Sequence, residues 1–204
     1  PAKKKPQAGF LFSDDEMRGQ MDTASDDSGF FYSTSLVLAP ASVVHNWRNE
    51  LQRFAPSLLI CDYTGTMAQR RKKQHALMRW DVVITTYRTF VNDIEQFASK
   101  QFGIVVFDES QAFKTHTSQI HHAVRRLKAH FHLALSGTPV ENNLTELWSL
   151  MNVLNPNLLG DVRHYNKSFV DTCGVQIEQE RAQVLRHLIE PYFLKRTKEQ
   201  VLTD

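Results

Sequence analysis

Two adjacent carboxylates, Asp108 and Glu109, directly follow a short apolar run and are the residues of this sequence best placed to do chemistry. The run at residues 104–107 is continuous, which is typical of a strand covered on both faces of a parallel sheet. Such sheets bind ligands at the carboxyl ends of their strands. One carboxylate there can hold Mg²⁺ through water, and its neighbour can orient or polarise an attacking water molecule. The alternative is a strand that ends in two solvated acids.

The rest of the sequence alternates between apolar strands and amphipathic helices. Strands are predicted at residues 9–12, 35–39, 58–63, 81–85, 104–107 and 132–135, and helices at residues 43–54, 68–80, 90–99, 118–127, 144–154 and 176–189. The first of these helices is predicted to begin after an N-cap at Ser42 and to bury Val44, Trp47, Leu51 and Phe54. Alternating β and α units indicate an α/β fold of three layers, with a parallel sheet between helices.

Polar or hydroxyl residues follow four of the predicted strands. They lie at residues 40–42, 85–86, 108–109 and 136–138. Because the carboxyl ends of parallel strands meet at one edge of a sheet, we expect these four clusters to share that edge. Any one of them, taken alone, could be an ordinary turn or helix cap.

Composition limits the classes of protein to which the sequence can belong. A hydrophobic fraction of 42% over 204 residues is enough for a real core, and a net charge of +2 permits a nucleic-acid partner without indicating one. The four cations at residues 70–73 are expected to form a solvated helix face, with contact to a phosphate backbone as the alternative. No apolar run approaches the roughly 18 residues of a membrane-spanning helix, so no membrane partner is expected.

The two cysteines, Cys61 and Cys173, have no metal-ligand spacing. They fit free thiols in a reducing compartment. We therefore expect an intracellular protein, cytoplasmic in a bacterium and nuclear in a eukaryote.

Several segments stand in the order and spacing of the Swi/Snf-type DNA translocases, a family that the sequence resembles from Leu36 onward. They read VLAPASVVHNWRNEL at residues 37–51, DVVITTYRTF at 81–90, IVVFDESQAFK at 104–114, LALSGTPVENNLTELWSLMNVLNP at 133–156 and IEPYFLKRTKEQVL at 189–202. The resemblance implies a RecA-like first ATPase lobe at residues 9–155. A basic linker or tail at residues 1–8 would precede it, and a helical protrusion with a lead-out toward a second lobe would follow it at residues 156–204. For residues 156–189, the alternative is a helical hairpin that caps the sheet.

The resemblance also implies ATP and Mg²⁺ as cofactors, duplex DNA as a partner held by its backbone, and roles for individual residues. Asp108 resembles the acid on the Mg²⁺ side, and Glu109 resembles the carboxylate that activates water. Short hydroxyls and helix N-termini suit phosphate oxygens. The implied residues are Asp108, Glu109 and Gln111 for catalysis, Ser136, Gly137 and Thr138 for coupling, and Pro40, Ser42, Asn46, Thr85, Thr86 and Asn142 for DNA contact.

The segment that should cradle the nucleotide phosphates departs from the family pattern. Where the family reads GFILADDMGLGKT, this sequence reads GFLFSDDEMRGQMDT, and it contains no Gly-Lys-Ser or Gly-Lys-Thr. The candidate nucleotide contacts there are Asp14, Asp15, Gly19 and Gln20, although the acids would repel phosphate. A naturally degenerate domain, an altered sequence and a lost piece of sequence are the three explanations that remain open.

We therefore expect the ATPase lobe of a Swi/Snf-type double-stranded DNA translocase or chromatin-remodelling-like helicase, which couples ATP hydrolysis to DNA movement when joined to a second RecA-like lobe. That lobe supplies arginine fingers, worth roughly 10³–10⁵ in rate for related reactions, so the isolated chain is expected to be nearly inactive. Protein subunits are further partners compatible with this function. One alternative is a catalytically dead RecA-like module that binds DNA or protein. A third interpretation, an unrelated α/β nucleotide or phosphate enzyme with the same acidic strand end, does not explain the segment SGTPVENNLTELW.

Overall fold

The computed structural model of the chain describes residues 33–137, 144–170 and 175–194, and for residues 175–179 it describes the backbone alone. The predicted tail at residues 1–8 and the predicted strand at residues 9–12 lie outside these ranges. So do several residues of interest, namely Asp14, Asp15, Gly19, Gln20, Thr138, Asn142 and Cys173. Cys61 is a free thiol, as predicted, and it is buried. Within the described ranges, no helix has the length and apolar character needed to cross a membrane.

Five parallel strands form one sheet in the described part of the chain. They are β1 (Ser35–Ala39), β2 (Ile60–Asp62), β3 (Val82–Thr86), β4 (Gln101–Phe107) and β5 (Lys128–Ala134). Their order across the sheet is β2-β3-β1-β4-β5. The predicted α/β fold with a parallel sheet is therefore confirmed.

The helices follow the predicted order, but several are shorter than predicted. They are α1 (Val44–Phe54), α2 (Met67–Gln74), α3 (Tyr87–Asn92), α4 (Ile94–Ala98), α5 (Gln119–Val124), α6 (Leu144–Leu154), α7 (Val162–Tyr165) and α8 (Val175–Ile189). Short 3₁₀ turns lie at Leu77–Arg79, Ser110–Phe113 and Glu190–Tyr192, and a π-helical turn lies at Asn166–Val170. After residue 156 the described residues contain helix and no strand, as predicted. That they form a protrusion stays a prediction.

The chain divides into two compact units. Unit 1 contains the described residues up to Glu109 and the segment Arg126–Leu135, and it includes all five strands. Unit 2 contains Ser110–Arg125 and the described residues from Ser136 onward, with helices α5 to α8. The predicted division at residues 155 and 156 is a separate one, drawn from the sequence, and stays a prediction.

The strand register of unit 1 brings the ends of four strands to one edge of the sheet. Ala39 of β1 pairs with Thr86 of β3, and Leu38 pairs with Phe107 of β4. Phe107 in turn pairs with Ala134 of β5. Because the strands are parallel and paired in this register, the residues that follow β1, β3 and β4 start at the same edge. Strand β1 lies in the middle of the sheet, and four of its five residues are buried.

Helix α1 packs on this sheet through the predicted apolar stripe, with two corrections. Val44, Trp47 and Leu51 contact the buried residues of β1 and β3. Phe54, predicted to complete the stripe, is 74% exposed because it lies in the last turn of the helix, beyond the edge of the core. Ser42 is not the N-cap, because a backbone turn at residues 40–43 places Val43 at that position without a side-chain cap.

A buried ion pair connects α2 to the junction between α3 and α4. The Nε of Arg70 donates to Oδ2 of Asp93 at 2.6 Å, and the Tyr63 hydroxyl donates to the same oxygen at 2.8 Å. The side chains of Arg70 and Asp93 are only 10% and 9% exposed, so the prediction that this arginine lies on a solvated face is wrong. Burial raises the pKa of Asp93, but the hydrogen bonds from Arg70 and Tyr63 and the charge of Arg70 outweigh it, so the net pKa is lowered.

Replacing Asp93 by Asn tests the contribution of this pair. The variant leaves the Arg70 guanidinium buried without a counter-charge, so we expect the free energy of unfolding to fall by on the order of 3 kcal/mol. Urea unfolding followed by circular dichroism measures the change. The matched control is Glu95→Gln, which breaks the exposed pair between Glu95 and Arg126 and should leave the midpoint unchanged. An equal loss of unfolding free energy in the two variants would contradict the expectation that the buried pair contributes more to stability than the exposed one.

Candidate nucleotide site

Asp108 lies one residue beyond the end of β4, and its carboxylate is held at both oxygens. Its backbone N–H donates to the carbonyl of Leu38 at 2.8 Å, which continues the pairing of β4 with β1 by one residue. The indole Nε1–H of Trp47 donates to Oδ2 at 2.8 Å, and the backbone N–H of Glu109 donates to Oδ1 at 2.9 Å. The carboxylate therefore has a defined orientation at the carboxyl edge of the sheet.

Tyr87, the first residue of α3, fixes the backbone of the same acid. Its hydroxyl donates to the carbonyl oxygen of Asp108 at 2.8 Å. Burial, followed by the negative charges of Asp108 and Glu109, raises the pKa of Tyr87 well above its usual value. The hydroxyl therefore keeps its proton at neutral pH and remains a donor. Trp47 and Tyr87 together hold both the side chain and the main chain of Asp108.

Glu109 has a backbone conformation that is unfavourable for a residue with a side chain. Its φ angle is 51°, in the left-handed region, and the only other non-glycine residue with positive φ in the described ranges is Asn157. Left-handed backbone costs about 1–2 kcal/mol for most L-residues, and such conformations cluster at functional sites. Glu109 lies between the end of β4 at Phe107 and the 3₁₀ turn of Ser110–Phe113.

In unit 2, the structure brings together Gln111 and Ser136, two residues of different predicted motifs. The Ser136 hydroxyl donates to Oε1 of Gln111 at 3.1 Å. Gln111 therefore contacts a residue of the predicted coupling segment, and the coupling role itself stays a prediction. Lys114 and Glu146 add an ion pair at 3.3 Å between the same turn and α6. Gly137 also belongs to this unit, and a Cβ atom added to it would meet no atom within 4 Å.

The predicted DNA contacts that precede α1 and lie in it are accessible. Ser42 and Asn46 are exposed, and Pro40 is partly buried. The carbonyl of Pro40 accepts a hydrogen bond from the N–H of Val43 at 3.1 Å, which forms the turn that leads into the helix. These residues remain candidate contacts for a phosphate backbone.

The two predicted DNA contacts at the end of β3 make hydrogen bonds within the fold. Thr85 is buried, and its hydroxyl donates to the carbonyl of Tyr63 at 2.6 Å. Thr86 is the N-cap of α3, and its Oγ1 accepts from the N–H of Thr89 at 3.1 Å. Their proposed role in DNA contact stays a prediction, and Thr86, which is partly exposed, is the more accessible of the two.

A buried histidine supports the turn that carries Gln111. His121 on α5 is 1% exposed, and its Nδ1 lies 3.2 Å from the carbonyl oxygen of Phe113. Burial lowers the pKa of His121, so the imidazole is neutral at pH 7 and donates from Nδ1 to that carbonyl. The sequence contained no signal for this contact, because an isolated histidine in a predicted helix has no preferred partner.

A parallel α/β sheet whose interior strand ends in two acids, with the carboxylate of Asp108 held in one orientation, is typical of RecA-like nucleotide-binding domains. Comparison with known proteins then identifies the family. The chain matches the SNF2-related domain over residues 8–204 and belongs to that family. The resemblance to Swi/Snf-type ATPases is therefore confirmed.

Individual relatives come from bacteria and eukaryotes. The chain is 32% identical over 206 residues to the TATA-binding protein-associated factor mot1 of Schizosaccharomyces pombe, a match that covers 96% of the chain and 10% of that relative. It is 37% identical over 175 residues to the putative ATP-dependent helicase/translocase YwqA of Bacillus subtilis, covering 84% of the chain and 19% of that relative. The chain thus spans a tenth to a fifth of these relatives.

A solved structure with the same fold is the SWI2/SNF2 ATPase core of Sulfolobus solfataricus in complex with double-stranded DNA. It matches with a TM-score of 0.72 and 32% sequence identity, over 84% of this chain and 35% of that chain. The ATPase core domain from the same organism matches with a TM-score of 0.70 and 30% identity, over 91% and 38% of the respective chains.

The left-handed conformation of Glu109 predicts a difference between two substitutions that both remove its carboxylate. Glu109→Gly accepts this φ without steric cost, whereas Glu109→Ala does not, so the glycine variant should be the more stable by about 1 kcal/mol. Urea unfolding of the two variants under identical conditions measures the difference. If the alanine variant were equally stable or more stable, the strain at this position would be refuted.

The lowered pKa of His121 predicts that stability falls in mild acid. The unfolded chain takes up protons below the usual histidine pKa of about 6.5, whereas folded His121 takes them up only at lower pH. The free energy of unfolding should therefore decrease as the pH falls below about 6.5. His121→Asn, whose amide can donate to the same carbonyl, should reduce that slope in urea unfolding at several pH values.

Part of the slope should remain in His121→Asn, because burial also lowers the pKa of His132 on β5. The depressed pKa of Asp93 contributes a separate loss, below the usual carboxyl pKa of about 4. An unchanged slope between pH 6.5 and 5 in the variant would contradict the assignment to His121.

Proposed function

We propose that this chain is the first ATPase lobe of a Swi/Snf-type DNA translocase. It binds ATP with Mg²⁺ and, with a second RecA-like lobe, converts hydrolysis into movement along double-stranded DNA. The observation that carries the proposal is the orientation of Asp108, whose two carboxylate oxygens accept from Trp47 and Glu109 at the carboxyl edge of the sheet. Membership of the SNF2-related family supports it.

The residues at the end of β4 fit a magnesium ion that is shared with a nucleotide. In the part of the chain that the structure describes, no group of three or more His, Cys, Asp or Glu side chains could hold a metal ion by itself. Mg²⁺ is usually bound by one or two carboxylates together with substrate phosphates, so a single acid such as Asp108 suffices when a nucleotide supplies the rest. Bound Mg²⁺-ATP would supply the phosphate bond that is hydrolysed.

The roles of the remaining residues follow the family pattern as proposals. Glu109 orients or polarises the attacking water. Gln111 and Ser136 transmit the state of the nucleotide site, and their hydrogen bond supports this pairing. Asp14, Asp15, Gly19 and Gln20 are the candidate phosphate contacts, and the sequence at residues 9–23 contains no lysine. We therefore propose weaker nucleotide binding than in a domain with a complete phosphate loop.

Double-stranded DNA is the proposed partner, held by its backbone near Ser42 and Asn46. These residues are exposed beside the start of α1. The Sulfolobus solfataricus SWI2/SNF2 core, whose structure was solved with double-stranded DNA, supports the choice of duplex over single strand. Backbone contacts of this kind carry no sequence information, so binding should be independent of sequence.

A second candidate function is a RecA-like module that binds DNA or protein without hydrolysing ATP. The observation that favours it is the absence of Gly-Lys-Ser and Gly-Lys-Thr from the 204-residue sequence. In such a module, the acids at the end of β4 would serve only the fold.

Calorimetric titration of the chain with Mg²⁺-ATP distinguishes the two functions. We expect saturable binding by the unmodified chain and its loss in Asp108→Ala, because this variant removes the acid on the metal side. Glu50→Ala, which removes an exposed acid of α1, is the matched control and should bind as the unmodified chain does. Absence of binding by the unmodified chain would refute the nucleotide site and leave the second function.

A further inference from the structure

The bond between Trp47 and Asp108 joins residues that are 61 positions apart in the sequence. An indole N–H can donate a hydrogen bond but cannot accept one, so Trp47 is the donor in this bond. The ring is packed against the buried cluster of Val37, Ala39, Val44, Val82 and Ile84. This packing restricts the orientation of the ring, so the N–H points at Oδ2 of Asp108 from a fixed position. Groups that position others at functional sites are held by packing in this way.

The bond limits the orientations that the carboxylate of Asp108 can adopt. With the indole of Trp47 on Oδ2 and the N–H of Glu109 on Oδ1, rotation of the carboxylate would break one or both contacts. A carboxylate oxygen can accept more than one hydrogen bond, so each oxygen retains capacity for a water molecule or a metal ion. The site is partly buried, where a charge-assisted hydrogen bond is stronger than in water.

The hydrogen-bond partner of the indole N–H differs among the three tryptophans of the chain. The Nε1–H of Trp148 donates to the backbone carbonyl of Gly160 at 3.0 Å, which is a structural contact within unit 2. The Nε1 of Trp80 is buried and has no hydrogen-bond partner. Trp47 differs from both in having a carboxylate as its acceptor.

We propose that Trp47 is a positioning residue for Mg²⁺-nucleotide binding, which acts by holding the carboxylate of Asp108 in the orientation that the metal requires. This role rests on the proposed function of Asp108. Trp47 would then have two roles, since its ring packs against apolar residues and its N–H holds the carboxylate of Asp108. Removing a group that orients a metal ligand typically costs 10–100-fold in metal affinity.

The first experiment tests the hydrogen bond itself, independently of nucleotide binding. The three indole N–H resonances are recorded in a ¹H–¹⁵N spectrum of the labelled chain and assigned with Trp→Phe variants at positions 47, 80 and 148. Asp108→Ala should shift the Trp47 resonance and leave the Trp148 resonance in place. Asp108→Leu, which has a side chain of similar size and no hydrogen-bond acceptor, is used if the alanine variant does not fold. An unmoved Trp47 resonance in a folded variant would overturn the proposal.

The second experiment tests positioning, with Trp47→Phe as the variant. Phenylalanine retains most of the apolar packing but has no N–H to donate. Calorimetric titration with ATP at several Mg²⁺ concentrations should show that the variant needs at least about tenfold more Mg²⁺ for the same affinity. Binding of ATP without metal should be unchanged. Trp148→Phe is the matched control and should leave both quantities unchanged.

The outcomes separate this proposal from the function on which it rests. If the unmodified chain binds no Mg²⁺-ATP, the proposed function is overturned, and the role of Trp47 with it. If it binds and Trp47→Phe binds equally well at every Mg²⁺ concentration, only the positioning role is overturned. A loss of ATP affinity that is equal with and without Mg²⁺ would show a general structural effect and would also overturn it.

Discussion

Parallel pairing between β1 and β4 is the constraint on which the rest of unit 1 depends. A parallel strand must be covered on both faces, and the near-complete burial of β1 meets that requirement. The pairing runs one residue beyond the strand, through the bond from the Asp108 N–H to the Leu38 carbonyl. Main-chain hydrogen bonding therefore fixes the position of Asp108 independently of the side chains that contact its carboxylate. Its position at the sheet edge follows from backbone geometry.

The side chains around Asp108 belong to the core and to the site at once. Trp47 packs its ring against buried residues of the sheet and donates its N–H to the carboxylate. Tyr87 is 6% exposed and donates its hydroxyl to the main-chain carbonyl of the same residue. An aromatic residue suits such a boundary because it has an apolar body and a polar tip. The precision of the site is therefore obtained from the packing that stabilises the fold.

The sequence predicted the order of elements well, and it predicted contacts between distant residues poorly. Strand β1 and helix α6 have the predicted bounds, because a continuous apolar run and a repeat of three and four residues are local signals. The helix predicted at residues 90–99 is divided between α3 and α4, beside Asp93 and its ion pair. The acid pair at a strand end was predicted in the same local way. The bond from Trp47 was not, because 61 residues separate donor and acceptor.

The division of the chain into two units has a consequence for synthesis on the ribosome. The chain leaves unit 1 after Glu109, returns to it at Arg126 and leaves again after Leu135. Strand β5 therefore emerges only after the 3₁₀ turn of Ser110–Phe113 and α5, which belong to unit 2. Domains form as synthesis proceeds from the N-terminus, so β4 lacks its neighbour β5 until those residues have been made. The growing chain thus exposes an unpaired edge of β4 for the time that the intervening segment takes to be translated.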